Sequence, residues 1–352
     1  MKALRDSFWH RALQSTRRPS GGPPASRLDP SASSAVSGEA GPTGALRPAP
    51  LLAGYRVERL IARGAQGMLY AATDPRTGAV VAIKTLPLAT EYEGADLEQA
   101  RKRFFQEADS AASLRHPDIV TVYGSGEASG EGFIVMELLA GCDLTRYTRP
   151  ARLLPEPVVL RIGARVAEAL AFSHAAGVVH RDIKPANVMV DLPRHQVKVT
   201  DFGIARVSDS ARSRSGVMLG TPAFMAPEQL AGGAIDGRAD LYALGVMLFQ
   251  LLTGRLPYEA QSMGQLLLRI ARGTPSHLSE LRPGLPLALG ELMDRLLQRQ
   301  PAQRPRDGGE VAAELRQIAE AWTAQGPHVS GWAGSGSPAG EPHDPGHNPF
   351  RN

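Results

Sequence analysis

Apolar residues recur at two different spacings along the chain. In the first half, short runs that are apolar or alternate with polar residues predict β-strands, separated by turns that contain glycine or proline. The predicted strands are Tyr55 to Ile61, Leu69 to Thr73, Ala79 to Leu86, Ile119 to Ser125 and Phe133 to Leu138. Between the third and the fourth, a helical period from Asp96 to Leu114 places Phe104, Ala108 and Ala111 on one face. The first half therefore predicts a small sheet with one helix.

Beyond Gly141 the period becomes helical. The segment from Pro157 to Ala176 carries an apolar stripe, and Leu241 to Leu252 is apolar on nearly every side, which is typical of a buried helix. Two further amphipathic segments, Leu285 to Gln298 and Gly309 to Trp322, are predicted to close the folded unit. The whole pattern predicts an α+β fold in which a small antiparallel sheet with one helix precedes a larger, mainly helical part.

Both ends of the chain differ from this patterned middle. They are rich in Pro, Gly, Ser and Ala and hold few large apolar side chains. Such segments cannot bury enough surface to offset the entropy lost on ordering. We predict disordered segments over residues 1–53 and 324–352, and a folded unit over residues 54–323 that divides into residues 54–139 and 140–323.

The charge and the cysteine content exclude several classes of protein. The formal charge is +4, but Lys and Arg outnumber Asp and Glu by that same margin within residues 1–50, so the rest of the chain is formally neutral and does not resemble a nucleic-acid binder. Cys142 is the only cysteine, which excludes an intrachain disulfide. No apolar run reaches the length of a membrane span or a signal peptide. We predict a cytoplasmic protein.

Two polar motifs carry the chemistry. Residues 180–187 read HRDIKPAN, and residues 201–203 read DFG. These runs resemble the catalytic loop and the metal-binding loop of protein kinases, whose motifs the general account of phosphoryl transfer describes. The resemblance extends over residues 54–322 and implies the bilobal protein-kinase fold, with the lobes at residues 54–139 and 140–323. A structural reading, in which the motifs are polar turns between strands, does not account for so many matches at fixed spacing.

The resemblance assigns a role to each polar side chain of these motifs. Asp182 would accept the proton of a substrate hydroxyl, and Lys184 would place a positive charge near the γ-phosphate of ATP. Asn187 and Asp201 are oxygen ligands suited to Mg²⁺, with Mn²⁺ as an alternative. In this family the histidine at position 180 is structural and packs against the phenylalanine of the second motif.

An upstream lysine completes the resemblance. Residues 81–84 read VAIK, which is similar to the kinase strand whose lysine anchors the ATP phosphates. A lone lysine in an apolar strand is alternatively a device that keeps an edge strand soluble. The position of Lys84 between the glycine loop and the catalytic loop favours the functional interpretation, and its expected partner is Glu107 on the following helix.

The predicted nucleotide pocket departs from the family pattern at one position. The glycine loop has Ala62 where the first glycine usually stands, which leaves the affinity for nucleotide open. Residues 137–139 are the expected hinge, with Met136 as the gatekeeper. The other residues that the resemblance places around ATP are Ile61, Gly64, Gly67, Leu69, Ala82, Glu137, Leu139 and Met189.

The segment that follows the DFG motif, the activation segment, is predicted to be regulatory. It ends in GTPAFMAPE at residues 220–228, in which Thr221 would bridge Asp182 and Lys184 as in kinases that act on serine and threonine. Arg181 and Arg206 would form a basic pocket for a phosphate on the segment. Ser213 and Ser215 are the serines expected to carry it. As scaffold, Glu228 should pair with Arg304, and Asp240 should hold the catalytic-loop backbone.

Together these motifs identify the chain as similar to the eukaryotic-like (Hanks-type) Ser/Thr protein kinases of bacteria. A pseudokinase that only binds nucleotide is the alternative, but such proteins usually lack one of the residues that here are Lys84, Asp182 and Asp201. A small-molecule kinase usually lacks Arg181 and the long segment that ends in APE. The resemblance implies ATP and Mg²⁺, protein substrates with Ser or Thr acceptors, and autophosphorylation. The sequence predicts no nucleic-acid partner and no membrane span.

Overall fold

The computed structural model describes residues 54–64, 67–202 and 222–324. The predicted α+β architecture is confirmed: a five-stranded antiparallel sheet with helices forms the N-terminal lobe, and helices with a three-stranded sheet form the C-terminal lobe. The two terminal segments that composition marks as unable to fold lie outside the described residues, except for Ala324, which ends the last helix. No helix within these three ranges is long and apolar enough to cross a bilayer.

The N-terminal lobe is built on strands ordered β1-β2-β3-β5-β4. Helix α2 packs its buried face, which includes Phe104, against this sheet, and Gly132 makes room because a Cβ there would lie 3.0 Å from the Phe104 ring. A one-turn helix, α1, precedes α2 and is absent from the prediction. The elements are β1 (Arg56–Gly64), β2 (Gly67–Thr73), β3 (Val80–Leu86), α1 (Leu88–Glu91), α2 (Gly94–Ser113), β4 (Val122–Ala128) and β5 (Glu131–Glu137).

The C-terminal lobe packs helices around α5, which is buried on nearly every side as its sequence predicts. Helix α3 lies against both α5 and α9. The approach of α3 to α5 is close, since a Cβ at Gly163 would lie 2.7 Å from the Leu248 side chain. The helices are α3 (Glu156–Ala175), α4 (Pro227–Leu230), α5 (Gly237–Thr253), α6 (Met263–Arg272), α7 (Leu278–Leu281), α8 (Leu287–Leu296) and α9 (Gly308–Ala324). The strands of its small sheet are β6 (Cys142–Asp143), β7 (Val188–Asp191) and β8 (Gln196–Val199).

The fourth predicted strand begins later than its sequence indicates. The prediction started it at Ile119, whereas β4 begins at Val122. The reason is that the preceding backbone pairs with the other lobe: Val120 N donates to Val199 O at 2.9 Å, and Val199 N donates to Asp118 O at 2.8 Å. These apolar residues are buried against β8 rather than in the five-stranded sheet.

Side chains reinforce this attachment of the segment that follows α2. The ring of His116 lies 5.2 Å from that of Phe172 on α3. The carboxylate of Asp118, which is only 4 % exposed, accepts a hydrogen bond from Arg165 Nε at 3.0 Å. The residues between α2 and β4 are therefore fixed to the C-terminal lobe, although they connect two elements of the N-terminal lobe.

Candidate active site

The catalytic loop lies between α3 and β7, and its backbone is hydrogen-bonded to the buried carboxylate of Asp240. Asp240, in the first turn of α5 and 1 % exposed, accepts hydrogen bonds from His180 N at 2.8 Å and from Arg181 N at 2.7 Å. Its Oδ2 also lies 2.8 Å from His174 Nε2. The prediction that Asp240 holds the loop backbone is confirmed. A buried carboxylate with several donors is well satisfied, so it fixes the loop rigidly.

Three polar side chains meet on this loop. Lys184 Nζ lies 2.7 Å from Asp182 Oδ2, and Asn187 Nδ2 donates to the same oxygen at 3.0 Å and to Asp182 O at 2.7 Å. The short helical turn Pro185–Asn187 brings Asn187 back toward Asp182. Because the amide nitrogen of Asn187 is directed at Asp182, its amide oxygen is the atom left to face a ligand.

The imidazole of His180 joins the two motifs from behind. It is fully buried, its ring centroid lies 4.5 Å from that of Phe202, and the predicted packing is thus confirmed. Its Nε2 lies 2.8 Å from Thr200 O, and its Nδ1 faces Asp182 N at 3.2 Å. A carbonyl only accepts and a backbone N–H only donates, so the ring is neutral with its proton on Nε2.

The phosphate-anchoring lysine is in place, but its partner differs from the expected one. Lys84 Nζ lies 2.8 Å from Asp201 Oδ1, and among the described residues this is its ion pair. Glu107 lies half-buried on α2, and the structure does not join it to Lys84. The ion pair of Lys84 with Asp201 thus joins the N-terminal lobe to the metal-binding loop.

The environment of Asp201 keeps its carboxylate ionised. Burial raises its pKa, but the neighbouring charge and hydrogen bond of Lys84, with the more distant charge of Lys184, outweigh burial and leave the pKa below its ordinary value. Its backbone adopts φ 64°, a left-handed conformation that is uncommon for a residue other than glycine and recurs at functional sites.

The donor set fits a divalent metal held jointly by protein and substrate. Within the described ranges no group of three or more His, Cys, Asp and Glu side chains could hold a metal alone. Asp201 and Asn187 offer one ionised carboxylate and one amide oxygen. Mg²⁺ is suited to such sites, because it is bound through one or two protein oxygens together with phosphate oxygens and water.

Strands β1 to β3 form the roof of the cleft above this site. At Gly67 the backbone has φ 130°, and a Cβ would lie 1.7 Å from Thr85 O, so glycine is required there. Ala62 of β1, by contrast, pairs with Leu69 of β2, and its backbone is not left-handed. Alanine is therefore accommodated where the family usually has glycine. Other residues predicted at the pocket lie on these strands and on β7: Ile61 and Gly64 on β1, Leu69 on β2, Ala82 on β3, and Met189 on β7.

The hinge carries an ion pair that the sequence did not indicate. Glu137 ends β5, and its carboxylate accepts from Lys198 Nζ at 2.6 Å and from Thr121 N at 2.7 Å. Lys198 also donates to Ile119 O at 3.1 Å. The sequence places Glu137 and Leu139 at the hinge but indicates no partner for the Glu137 carboxylate. A lysine between two buried valines of β8 was the available signal.

The regulatory residues are divided between described and other parts of the chain. Arg181 lies on the catalytic loop, whereas Arg206, Ser213, Ser215 and Thr221 lie outside the described residues. The predicted scaffold pair is confirmed, because Arg304 donates to Glu228 Oε1 at 2.6 Å and to Oε2 at 2.7 Å.

Comparison with known proteins gives consistent matches. Residues 55–317 match the model of the protein kinase domain family. Serine/threonine-protein kinase pkn3 of Myxococcus xanthus is 39% identical over 275 residues, which are 75% of this chain and 50% of that one. Serine/threonine-protein kinase PknJ of Mycobacterium tuberculosis is 38% identical over 300 residues, 83% of this chain and 49% of that one. A probable serine/threonine-protein kinase, pknA2 of Bifidobacterium longum, is 36% identical over 282 residues, 78% of this chain and 37% of that one.

A solved structure matches the fold. The PknI kinase domain of Mycobacterium tuberculosis superposes with a TM-score of 0.62 at 32% identity, covering 76% of this chain and 96% of that one. The chain spans about half the length, or less, of the curated relatives above.

Proposed function

Because the chain belongs to the protein kinase domain family and its relatives are bacterial Ser/Thr protein kinases, we propose that it transfers the γ-phosphate of ATP to serine and threonine hydroxyls of proteins. The observation that carries this proposal is the convergence of Lys84, Asp182, Lys184, Asn187 and Asp201 on one cleft. We further propose residues 54–323 as the limits of the kinase domain and the cytoplasm as its location.

Asp182 is the group that handles the proton. Phosphoryl transfer has a loose transition state in which charge spreads over the γ-phosphate oxygens, so positioning and charge matter more than a strong nucleophile. Asp182 accepts a hydrogen bond from the acceptor hydroxyl, orients it for in-line attack and takes its proton. Lys184, 2.7 Å from Asp182, offsets charge at the transferred group.

Lys84 and the two oxygen donors position the phosphates. Lys84 supplies a fixed positive charge from β3, and Asp201 and Asn187 would hold Mg²⁺, or Mn²⁺ in its place. A bound divalent ion neutralises phosphate charge and orients the γ-phosphate. The lowered pKa of Asp201 supports this role, because a ligand must be ionised to bind the metal.

Adenine is placed by the hinge and two apolar faces. Leu69 and Ala82 lie on the strands above the cleft, and Met189 lies on β7 below it. Backbone groups of residues 137–139 would hydrogen-bond the base. The ion pair of Glu137 with Lys198 supports this role, since it keeps the hinge in one position relative to the strand that leads into Asp201.

Autophosphorylation is the regulatory part of the proposal. Phosphate on Ser213 or Ser215 would bind the guanidinium groups of Arg181 and Arg206, because arginine recognises phosphate through charge-assisted paired hydrogen bonds. Thr221 would contact Asp182 and Lys184 and favour serine or threonine as acceptor.

The test is transfer of radiolabelled phosphate from ATP and Mg²⁺ to a basic acceptor protein by the purified chain. Acid hydrolysis of the product identifies the acceptor as phosphoserine, phosphothreonine or phosphotyrosine. We expect the first two, and no transfer by Asp182→Asn. Absence of transfer by the wild-type chain under these conditions, with ATP binding retained, would favour a nucleotide-binding module instead.

A further inference from the structure

The residue before Asp182 has an unusual backbone. Arg181 adopts φ 69°, in the left-handed region that residues other than Gly, Asn and Asp rarely enter. Such a conformation persists only where surrounding contacts impose it. Since Asp182 follows directly, the groups that hold Arg181 also set the direction of the Asp182 side chain.

Both backbone groups of Arg181 are held, by side chains from two different helices. Its N–H donates to Asp240 Oδ1 on α5 at 2.7 Å. Its carbonyl oxygen accepts from Gln229 Nε2 on α4 at 3.0 Å. Asp240 was expected at this position, whereas Gln229 was not assigned any role.

The other end of the same amide closes the start of α4. Gln229 Oε1 accepts from Ala226 N at 2.8 Å, which satisfies a backbone donor at the helix N-terminus, and Ala226 is fully buried. A backbone N–H only donates and a carbonyl only accepts, so the orientation of the amide is fixed by its partners. Both halves of the amide are therefore used. A carboxylate at this position could still accept from Ala226 N, but it could not donate to the carbonyl of Arg181.

We propose that Gln229 is a positioning residue for phosphoryl transfer: it holds the strained backbone at Arg181 and couples the end of the activation segment to Asp182. The inference rests on the proposed kinase activity. Helix α4 directly follows residues 222–226, so the Gln229 side chain links the end of this segment to the catalytic loop.

The variant that isolates this role is Gln229→Glu. It keeps the side-chain length and the oxygen that caps α4, but it removes the donor and sets a carboxylate against the carbonyl of Arg181. The matched control is Gln265→Glu. Gln265 lies in the first turn of α6, is exposed, and its Oε1 accepts from Gln261 N at 3.3 Å, so the same substitution there leaves a cap contact intact with no catalytic-loop contact to lose.

The first measurement is steady-state kinetics of the phosphorylated chain, residues 1–352, at about pH 8. We expect Gln229→Glu to lower kcat at least about tenfold and to change the KM for ATP less than about twofold, since the nucleotide contacts lie elsewhere. Gln265→Glu should keep both constants. Equal kcat for Gln229→Glu and the wild type would overturn the proposal, and so would a loss expressed only in KM.

The second measurement uses pH as a rescue. In the Gln229→Glu variant, the introduced carboxyl group can, once protonated, donate to the Arg181 carbonyl while its other oxygen accepts from Ala226 N, which restores both contacts. The ratio of wild-type to variant kcat should therefore shrink as the pH is lowered from about 8 toward about 5.5, because the pKa of a half-buried carboxyl beside a carbonyl lies above the ordinary value of about 4.3. A constant ratio across this range would mean that the hydrogen bond to Arg181 is not what the substitution removed.

The third measurement does not depend on activity. Hydrogen exchange of the segment 178–188 should be faster in Gln229→Glu than in the wild type and unchanged in Gln265→Glu, because the backbone at Arg181 loses one of its two restraints. An inactive wild-type chain would refute the proposed function, yet the exchange result would still decide whether Gln229 holds the loop. Unchanged exchange in that segment overturns the positioning role even if kcat falls.

Discussion

Lys84 Nζ and Asp201 Oδ1 lie 2.8 Å apart and join the sheet of the N-terminal lobe to the metal loop of the C-terminal lobe. The lysine side chain is 13% exposed and the aspartate 25%, so solvent screens the pair only in part. In the proposed reaction both groups must turn toward the phosphates and the metal, so the pair holds them near the position in which they act.

We expect Lys84→Met and Asp201→Ala each to reduce phosphoryl transfer by about three orders of magnitude or more, because each removes charge stabilisation at the transferred phosphate. Both variants should remain folded by circular dichroism. Lys102→Met, which removes an exposed lysine from α2, is the control and should keep full activity. Wild-type turnover by Asp201→Ala would refute the mechanism.

The pKa of Asp201 predicts how its contribution to stability varies with pH. Burial raises this pKa, the charge of Lys84 lowers it more, and the folded value therefore lies below the unfolded value of 3.8. The ionised group thus contributes stability that is fully present above about pH 4 and is lost as the pH falls through the folded pKa.

The comparison that isolates this effect is the free energy of unfolding by urea for the wild type and Asp201→Asn. The difference between them should be constant from about pH 5 to about pH 8 and should shrink below about pH 4. A difference that grows on acidification would show that the folded pKa of Asp201 is raised instead.

The pair of Arg304 with Glu228 should be important for folding. The Arg304 side chain is fully buried, and it also donates to the carbonyls of Gln298, Arg238 and Arg299. Arg304→Met would leave the Glu228 carboxylate unpaired and should lower the free energy of unfolding by about 3–5 kcal/mol.

Arg306→Met is the control for that substitution. Arg306 is 84% exposed and pairs with an exposed Asp307, so its loss should change stability by less than about 1 kcal/mol. Similar midpoints of thermal unfolding for the two variants would contradict the importance of burial.

Phosphorylation of the activation segment is predicted at Ser213 or Ser215. Mass spectrometry after incubation with Mg²⁺ and ATP should find phosphate there, and the double alanine variant should lose most of its activity because the two arginines of the basic pocket then lack a partner. The double alanine variant at Ser208 and Ser210 is the matched control, with full activity expected. Full activity of the Ser213 and Ser215 variant would refute the switch.

Cys142 offers a probe of the nucleotide pocket. It is half-buried in β6, where it pairs with Val190 of β7, and the neighbouring Asp143 pairs with Met189. Its Sγ lies 3.7 Å from the hydroxyl of Tyr147. Burial, with this contact, raises the pKa of Tyr147 to about 12, so the phenol stays protonated and does not compete for an alkylating agent.

Cys142 lies on β6, which pairs with β7 beside the predicted adenine contact Met189. Saturating Mg²⁺ and ATP should for this reason slow alkylation of Cys142 several-fold, and Cys142→Ser should be active and resistant to the reagent. The chain has a single cysteine, so the modified site is unambiguous. A labelling rate that is the same with and without nucleotide would place Cys142 away from the pocket.

The sequence predicted most of the site because its key residues are close together in local motifs. Asp182, Lys184 and Asn187 lie within six residues, and the short helical turn Pro185–Asn187 brings their side chains together. The long-range contacts of Asp240 and Arg304 were also predicted, but only through resemblance to the family. Their spacing alone gives no reason for contact.

What the sequence did not predict depends on how elements are placed in three dimensions. Lys84 on β3 pairs with Asp201 of the C-terminal lobe rather than with the expected Glu107, a contact that depends on how the two lobes are placed. Lys198 reads as an ordinary strand lysine until β8 is seen beside the hinge. Helix α6 was missed although Ser262 caps its start and Gly273 follows its end, two signals that were present in the sequence.

Because the segment between α2 and β4 is attached to the C-terminal lobe, the C-terminal end of α2 is a fixed point about which the rest of the helix can rotate. His116, Asp118 and Val120 anchor the chain just past its C-terminal end to the C-terminal lobe. At about 1.5 Å of rise per residue, Glu107 lies about 10 Å from Leu114, so a rotation of about 15° about that end displaces it by about 3 Å. Such a rotation would change the distance from Glu107 to Lys84 while His116, Asp118 and Val120 keep their contacts with the C-terminal lobe.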